Sequence, residues 1–283
     1  MKKLLFHFDT DPMPSVFDAV VAYDGGADHV QAYGGVNPES CVPLVAGTIF
    51  TRGDKKNTAI FVSGSNMQAG EDLFDAVQKQ FFGEFRVSVM LDSNGSNTTA
   101  AAMVALLHKE IPLKGKRAVI LAGTGPVGQR AGVMMAQEGA DVVLTSRKLD
   151  RAQAACYAMN KAFNVNMNAA AAPDEGSTAE VLEGAHIVLA TGAAGVQVLA
   201  EDAWKNHPTL EALSDANATP PLGLQGVKTK DKAQNRHGKL CWGALGVGNI
   251  KLALHRRCIG KMFEANNQVF DAPQIYALAK EMV

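Results

Sequence analysis

The stretch Lys116-Arg-Ala-Val-Ile-Leu-Ala-Gly123-Thr-Gly125-Pro-Val-Gly128 decides the fold. Its apolar half reads as a buried parallel strand, and its second half is a G-x-G-x-x-G turn that opens a helical pattern. In such a turn the first glycine permits the tight bend, the second lets backbone approach a pyrophosphate, and the third lets helix pack on strand. The phosphates then sit at the helix N-terminus, where unpaired N–H groups favour an anion. A glycine pattern alone says little. This one has a strand before it, a helix after it and a second apolar run, Ala140-Asp-Val-Val-Leu-Thr-Ser146, at the distance where a ribose is read. The competing reading is a glycine turn in an ordinary α/β unit.

The residues at the end of the second run select the nucleotide. A site for NAD carries an acid there to accept from the ribose hydroxyls, whereas this chain offers Ser146, Arg147 and Lys148. Arg147 can present a planar fork to a 2′-phosphate and Lys148 a point charge, so NADP is the expected cofactor. Ser146 suits either a hydroxyl or a phosphate, and basic residues that simply open the next helix are the alternative. The expected cofactor-binding residues are Gly123, Thr124, Gly125, Pro126, Val127 and Gly128, then Ser146, Arg147 and Lys148. Thr191, Gly192 and Asn217, which directly follow later strands, complete the set.

Around this motif the composition is that of a globular chain. The 283 residues are 47% apolar, long enough for two domains. Lysine and arginine number 27 against 28 acids, which gives no reason to expect nucleic acid as partner. The run Met1-Lys-Lys-Leu-Leu-Phe-His7-Phe8-Asp9 is too short for a signal peptide and reads as a first strand. No segment reaches membrane-spanning length. Cys41, Cys156, Cys241 and Cys258 are scattered without C-x-x-C spacing, so reduced thiols in a cytoplasmic protein are expected and no metal site is.

The expected fold class is α/β: a Rossmann-type NADP-binding domain plus a smaller α/β substrate domain formed by the N-terminal part and the C-terminal helices. Strands are expected at Leu4–Phe8, His29–Tyr33, Thr58–Val62 and Phe85–Leu91, with helices at Ser15–Tyr23, Met67–Phe82 and Ala100–Lys109. Pro112-Leu-Lys-Gly115 marks a boundary. The substrate domain is thus residues 1–110 completed by 250–283, and the dinucleotide domain is 111–249. Later strands are expected at Ala185–Ala190 and Leu210–Ser214. Helices from about Gly246 to Phe263 and from Pro273 to Met282 are expected to pack on the N-terminal domain, beside an interdomain cleft.

Three further segments carry side chains suited to a second ligand. In Asp9-Thr-Asp11-Pro-Met-Pro-Ser15-Val-Phe17-Asp18, Phe17 and Asp18 fall in a first helical turn and could stack on and hydrogen-bond a heterocycle. A Ser15 cap with acids placed for the helix dipole is the equal alternative. In Asp92-Ser-Asn94-Gly95-Ser96-Asn97-Thr98-Thr99 there are more short polar side chains than one cap requires, which points to a ligand. Lys251 and His255 are spaced i, i+4 on one helix face, where the lysine could polarise a substrate and the histidine orient it. With Arg256 and Arg257 next in the chain, a solvated face is the alternative. His7, His29, His108, His186, His207 and His237 show no cysteine or carboxylate at metal spacing and read as structural or exposed. Tyr157 and Lys161 match a Tyr-x-x-x-Lys pair by chance, on a helix too early in the domain to reach a nicotinamide.

These segments together resemble a known family. Phe-x-Phe-Asp-Thr-Asp at 6–11, Ser-Val-Phe-Asp at 15–18, Tyr-Asp-Gly-Gly-Ala-Asp-His at 23–29 and Leu-Asp-Ser-Asn-Gly-Ser-Asn-Thr-Thr-Ala-Ala-Ala at 91–102 are similar to motifs of the bacterial methylene-tetrahydromethanopterin dehydrogenases of methylotrophs. So are Ala-Gly-Thr-Gly-Pro-Val-Gly at 122–128, Gly-Ala-Leu-Gly-Val-Gly-Asn-Ile-Lys-Leu at 243–252 and Leu-His-Arg at 254–256. The likeness spans nearly the whole chain and is closest to the NADP-dependent branch that also accepts methylene-tetrahydrofolate. It implies hydride transfer from a methylene group held between two pterin nitrogens to NADP. It also implies a pterin touching Phe17, Asp18, Asn97, Thr99, Lys251 and His255, and a homo-oligomer, trimer or hexamer. Two alternatives stand beside it: an NADP-dependent dehydrogenase of shikimate-dehydrogenase type, which needs a lysine–aspartate pair in the N-terminal domain, and a non-catalytic NADPH-binding sensor.

Overall fold

The computed structural model describes residues 1–283. The first elements are β1 (Leu4–Asp9), α1 (Val16–Asp24), β2 (His29–Tyr33), α2 (Cys41–Phe50), β3 (Thr58–Ser63), α3 (Met67–Lys79), β4 (Ser88–Leu91) and α4 (Ser96–Glu110). Then come β5 (Arg117–Leu121), α5 (Pro126–Gln137), β6 (Asp141–Ser146), α6 (Leu149–Phe163), β7 (Met167–Ala171), α7 (Glu175–Leu182), β8 (Ile187–Ala190), α8 (Glu201–Trp204) and β9 (Ala212–Asp215). The chain ends with β10 (Gln234–Arg236), β11 (Lys239–Trp242), α9 (Ala244–Met262), β12 (Val269–Phe270) and α10 (Ala272–Met282). Two units divide these elements: Met1–Thr98 with Leu252–Met282, and Thr99–Lys251 with the terminal Val283.

The first unit holds a five-stranded parallel sheet in the order β12-β4-β3-β1-β2. All residues of β3 and β4 are buried, as a parallel strand covered on both faces requires. The order β2-β1-β3-β4 places a topological switch point between β1 and β3, where crossovers leave in opposite directions and a crevice opens beyond the strand ends. Helix α2 lies where no helix was expected. Cys41-Val-Pro-Leu-Val-Ala-Gly-Thr-Ile-Phe shows no polar face to reveal helical period, yet Cys41, Val45 and Ile49 fall four apart and enter one core with Leu73, Phe74 and Val77. Pro43 is tolerated because it lies in the first turn. Strand β4 starts at Ser88 rather than Phe85, which instead forms a bridge with Phe82. Helix α4 starts four residues earlier than the alanine run, because the Asp92 carboxylate accepts from the Thr98 N–H at 3.0 Å and hydroxyl at 2.6 Å.

The second unit holds seven strands in the order β10-β11-β9-β8-β5-β6-β7, parallel except for the β10–β11 pair. Counted from β5, the parallel strands run 3-2-1-4-5-6, the dinucleotide-binding order, with its switch point between β5 and β8. Val119, Leu121, Val188, Leu213 and the fully buried Trp204 form its core. The Trp204 indole N–H donates to the Gln225 carbonyl at 2.8 Å, so burial strands no donor. No helix is long and apolar enough to cross a membrane.

Candidate active site

In the second unit the glycine turn lies at the switch point, and its glycines differ in what they permit. A Cβ at Gly128 would come within 2.5 Å of the Gly123 carbonyl oxygen and Thr191 Oγ1, and one at Gly123 within 2.8 Å of the Ile120 carbonyl oxygen. Packing alone therefore demands glycine at both. At Gly125 the nearest atom would be the Thr191 carbonyl oxygen at 3.9 Å, so packing within the protein does not demand glycine there. Gly125 is the N-cap of α5, with Pro126 in its first turn and no side chain capping it. The N–H groups of that turn are thus available to an anion. Ala122, just before the turn, holds φ at 50°, a conformation costly for any residue with a Cβ.

Beside the turn is a cavity of about 500 Å³, lined among others by Ala122, Ser146, Arg147, Asp174, Glu175 and Gly192. Arg147 is the only cation in its wall, against the carboxylates of Asp174, Glu175 and Asp202. Hydrogen bonds from Ser177 hold the Asp174 carboxyl below its usual pKa, so it is ionised at neutral pH. Lys148 does not line the cavity; it is the N-cap of α6. Thr124, Pro126 and Val127 are half-buried in the turn, and Thr191 donates its N–H to the Leu121 carbonyl at 3.1 Å. Asn217, expected to touch cofactor, is buried with its side chain engaged. Its oxygen accepts from the Gly195 and Thr219 N–H groups at 3.4 and 2.9 Å, and its amide donates to the Pro221 carbonyl at 3.0 Å. It shapes two loops instead. These loops come after β8 and β9 at the crevice side of the sheet.

In the first unit, Phe17 is half exposed and Asp18 mostly covered in the first turn of α1, whose N-cap Ser15 accepts from the Asp18 N–H at 3.2 Å. The cap reading is thus realised, and it engages the Asp18 backbone N–H rather than its carboxylate. Asp18 Oδ2 lies 4.0 Å from Nε2 of His7, which is completely buried. The same nitrogen lies 2.6 Å from Ser63 Oγ and 3.6 Å from Asp9 Oδ2. The expectation that none of the histidines other than His255 has a carboxylate at metal spacing is therefore corrected at His7, whose ligand atom and those of Asp9 and Asp18 lie within 4.8 Å of one another. His108 and His237 likewise face Glu138 at 3.8 Å and Glu201 at 2.7 Å. His7 and Asp9 are two apart on β1 and so share one face, a signal present in the sequence. Ser63 is the register partner of Asp9 on β3, which the sequence does not display. Beyond His7, the Phe61 ring stacks on it at 5.1 Å and meets the edge of His255 at 5.2 Å.

His255, expected to contact substrate, is wholly buried, with Nδ1 3.8 Å from Asp92 Oδ2, and offers a ligand no surface. Lys251, one turn earlier on α9, is half-buried, as is Thr99 on α4. Asn97, also expected at substrate, is 1% exposed, and its amide donates to the Leu91 carbonyl at 2.8 Å and to Asp271 at 3.1 Å. Its group ties the end of β4 to the C-terminal segment. Tyr157 is exposed on α6. Burial pushes the thiols of Cys156 up to about 11 and of Cys241 up to about 12, which leaves no nucleophilic thiolate near neutrality.

A sheet of dinucleotide-binding order with a glycine turn, an open Gly125 and an arginine-walled cavity defines a nucleotide-dependent α/β protein of the Rossmann class. Residues 16–94 match the family described as methylene-tetrahydromethanopterin dehydrogenase, N-terminal. The chain is 57% identical to bifunctional protein MdtA of Methylorubrum extorquens, over 99% of both chains. It is 33% identical to the NAD(P)-dependent methylenetetrahydromethanopterin dehydrogenase of the same organism, over 95% of this chain and 94% of that one. It belongs to the methylene-tetrahydromethanopterin dehydrogenase family. Among solved structures, a shikimate 5-dehydrogenase from Mycobacterium fortuitum shares the fold with a TM-score of 0.54 at 12% identity, covering 98% of each chain. Quinate dehydrogenase from Corynebacterium glutamicum gives 0.53 at 14%, again over 98% of each.

Proposed function

We propose that the protein transfers a hydride from the methylene group of methylene-tetrahydromethanopterin, and of methylene-tetrahydrofolate, to NADP, leaving the methenyl cation. Membership of the family carries this reading, and the Gly125 opening beside an Arg147-walled cavity supports the nucleotide half of it. NADP supplies the hydride acceptor. The first turn of α5 holds its pyrophosphate, Gly123 and Gly128 keep that turn tight, and Arg147 with Ser146 receives the 2′-phosphate. The two nitrogens flanking the methylene carbon delocalise the developing charge, so the reaction asks of the protein chiefly orientation and exclusion of water.

Phe17 and Asp18 bind the pterin head, with Thr99 and Lys251 as further contacts. A lysine cation beside a developing carbocation would be unfavourable, so Lys251 addresses the pterin carbonyl, away from the reacting carbon. His255 and Asn97, being buried, serve by position rather than by touch. Assembly as a homo-oligomer in the cytoplasm belongs to the same reading, and its oligomeric part is tested by light scattering. The deciding experiment monitors the absorbance of reduced nicotinamide with each methylene pterin in turn, first with NADP and then with NAD. Turnover with NADP on at least one pterin is expected. No turnover on either would overturn the proposal.

A further inference from the structure

We propose that His7 is a positioning residue which, with Ser63 and Asp9, holds the first turn of α1 so that Asp18 and Phe17 meet the pterin head. The inference rests on the pterin reading above and adds to it a residue that touches no ligand.

The place is set by topology. β1 and β3 flank the switch point of the first sheet, and His7, Asp9 and Ser63 stand at their carboxyl ends, where open parallel sheets put their ligand crevice. Counting protons then fixes the state of the histidine. Ser63 has one hydroxyl hydrogen, which it donates to Asp9 Oδ2 at 3.2 Å. With that hydrogen so placed, the 2.6 Å contact between Ser63 Oγ and His7 Nε2 takes its hydrogen from the imidazole. His7 is the Nε2–H tautomer. Its other nitrogen, Nδ1, is buried without a hydrogen-bond partner, an acceptable fate for a lone pair and a poor one for a proton.

The chain continues from Asp9 into the site. Its carboxylate accepts from Ser63, from the Asp11 N–H at 2.8 Å and from the Ser15 N–H at 3.0 Å. Ser15 is the N-cap of α1, so this bonding fixes where the helix begins and which way Phe17 and Asp18 project. Three side chains buried at the strand ends thus act on one helical turn. The charged and titratable groups around the imidazole are Asp9 on its own strand, Asp18 on α1 and, across the Phe61 ring, His255 on α9. A hydrolytic triad is not what these residues form. Serine and aspartate both face the same nitrogen, and no carboxylate orients Nδ1.

The partner chemistry is set by the carboxylate. The 2-amino-4-oxopyrimidine ring of a pterin presents a ring N–H beside an exocyclic amine, two parallel donors that a carboxylate accepts together. Such recognition tolerates little misorientation.

The test measures kcat, KM for the methylene pterin and KM for NADP in the intact protein and in His7→Phe, His7→Gln and Ser63→Ala. His7→Phe keeps the ring stacked on Phe61 but loses the N–H, and should raise the pterin KM about five- to tenfold, the worth of a lost buried hydrogen bond. KM for NADP should change less than about twofold, because the variant leaves the glycine turn untouched. His7→Gln places an amide N–H near the position of Nε2 and should restore the pterin KM to within about threefold. Ser63→Ala breaks the chain without altering any ring, and should raise the same KM. A purely structural role would lower the melting temperature and leave this split unmoved. Unchanged pterin KM in Ser63→Ala, or equal rises in both KM values, would overturn the inference even if His7→Phe fails to fold. Absence of pterin turnover in the unmutated protein would instead overturn the functional reading on which it rests.

Discussion

Replacing Arg147 by alanine separates the nucleotide reading from its alternatives. Arg147 is the sole cation in the cavity wall, and the other charged groups there, Asp174, Glu175 and Asp202, are acids. Asp202 is compensated by Lys205 at 2.5 Å, but Asp174 and Glu175 are not compensated from within the wall. A hydrogen bond to a charged group contributes about 1.5–3 kcal/mol, and each 1.4 kcal/mol is a factor of ten. Arg147 is exposed, which screens the interaction and argues for the lower part of that range. Its loss leaves a phosphate facing carboxylates, which argues for the upper part. The expected outcome is a rise of roughly 10- to 100-fold in KM for NADP, with KM for NAD moving less than about threefold. Lys148→Ala, whose side chain does not line the cavity, should change either value less than about threefold. Steady-state kinetics with both nucleotides at fixed pterin decide it. Equal losses for NADP and NAD, or a larger loss from Lys148→Ala, would refute the assignment of the 2′-phosphate to Arg147.

The same geometry sets other outcomes. Gly128→Ala forces a Cβ to within 2.5 Å of backbone oxygen and should lower stability by about 1–3 kcal/mol, read as a fall in melting temperature. Gly125→Ala meets nothing nearer than 3.9 Å, so the melting temperature should hold while calorimetry shows NADP binding weakened at least about tenfold; unimpaired binding would mean no backbone approach there. Phe17→Ala should raise the pterin KM with stability nearly unchanged, because the ring is half exposed. Burial lowers the His7 pKa below its ordinary 6.5, so the unfolded chain takes up a proton that the native state refuses. This contribution to stability is present above pH 6.5 and is lost as pH falls below it, at up to about 1.4 kcal/mol per pH unit. Urea midpoints between neutral and mildly acidic pH should show that slope, reduced in His7→Gln.

Much of this architecture is legible in the residues because parallel strands buried on both faces appear as short apolar runs. Leu4–Asp9, Thr58–Ser63 and Arg117–Leu121 all declare themselves that way. The order of strands does not, since nothing local in Asp9 or Ser63 says they are register partners. Helix α2 is hidden for another reason: its exposed face carries Val42, Pro43, Gly47 and Phe50 rather than charged residues, so no polar stripe reveals its period. Site residues divide along the same line. The glycine turn carries its geometry in its own spacing, whereas Asn97 and His255 meet Asp271 and the Phe61 ring from distant segments, and Asn217 is held partly by its own loop, at Thr219 and Pro221, and partly by Gly195. Short polar side chains after strands serve equally to bind ligands and to hold loops, and only their burial and hydrogen bonds tell the two apart. For Asn97 and Asn217 the loops have them.

The chain carries two doubly wound sheets of different strand order, each with its own switch point. Phe17 and Asp18, assigned to the pterin head, belong to the first unit, and the residues assigned to the nucleotide phosphates belong to the second. Selection can therefore act on either preference through its own set of codons. A lineage could trade NADP for NAD by drift at Ser146 and Arg147 alone, or adopt a new pterin by changes around α1, without passing through a form crippled in both. Relatives that differ in one preference and agree in the other are the inheritance such a division permits.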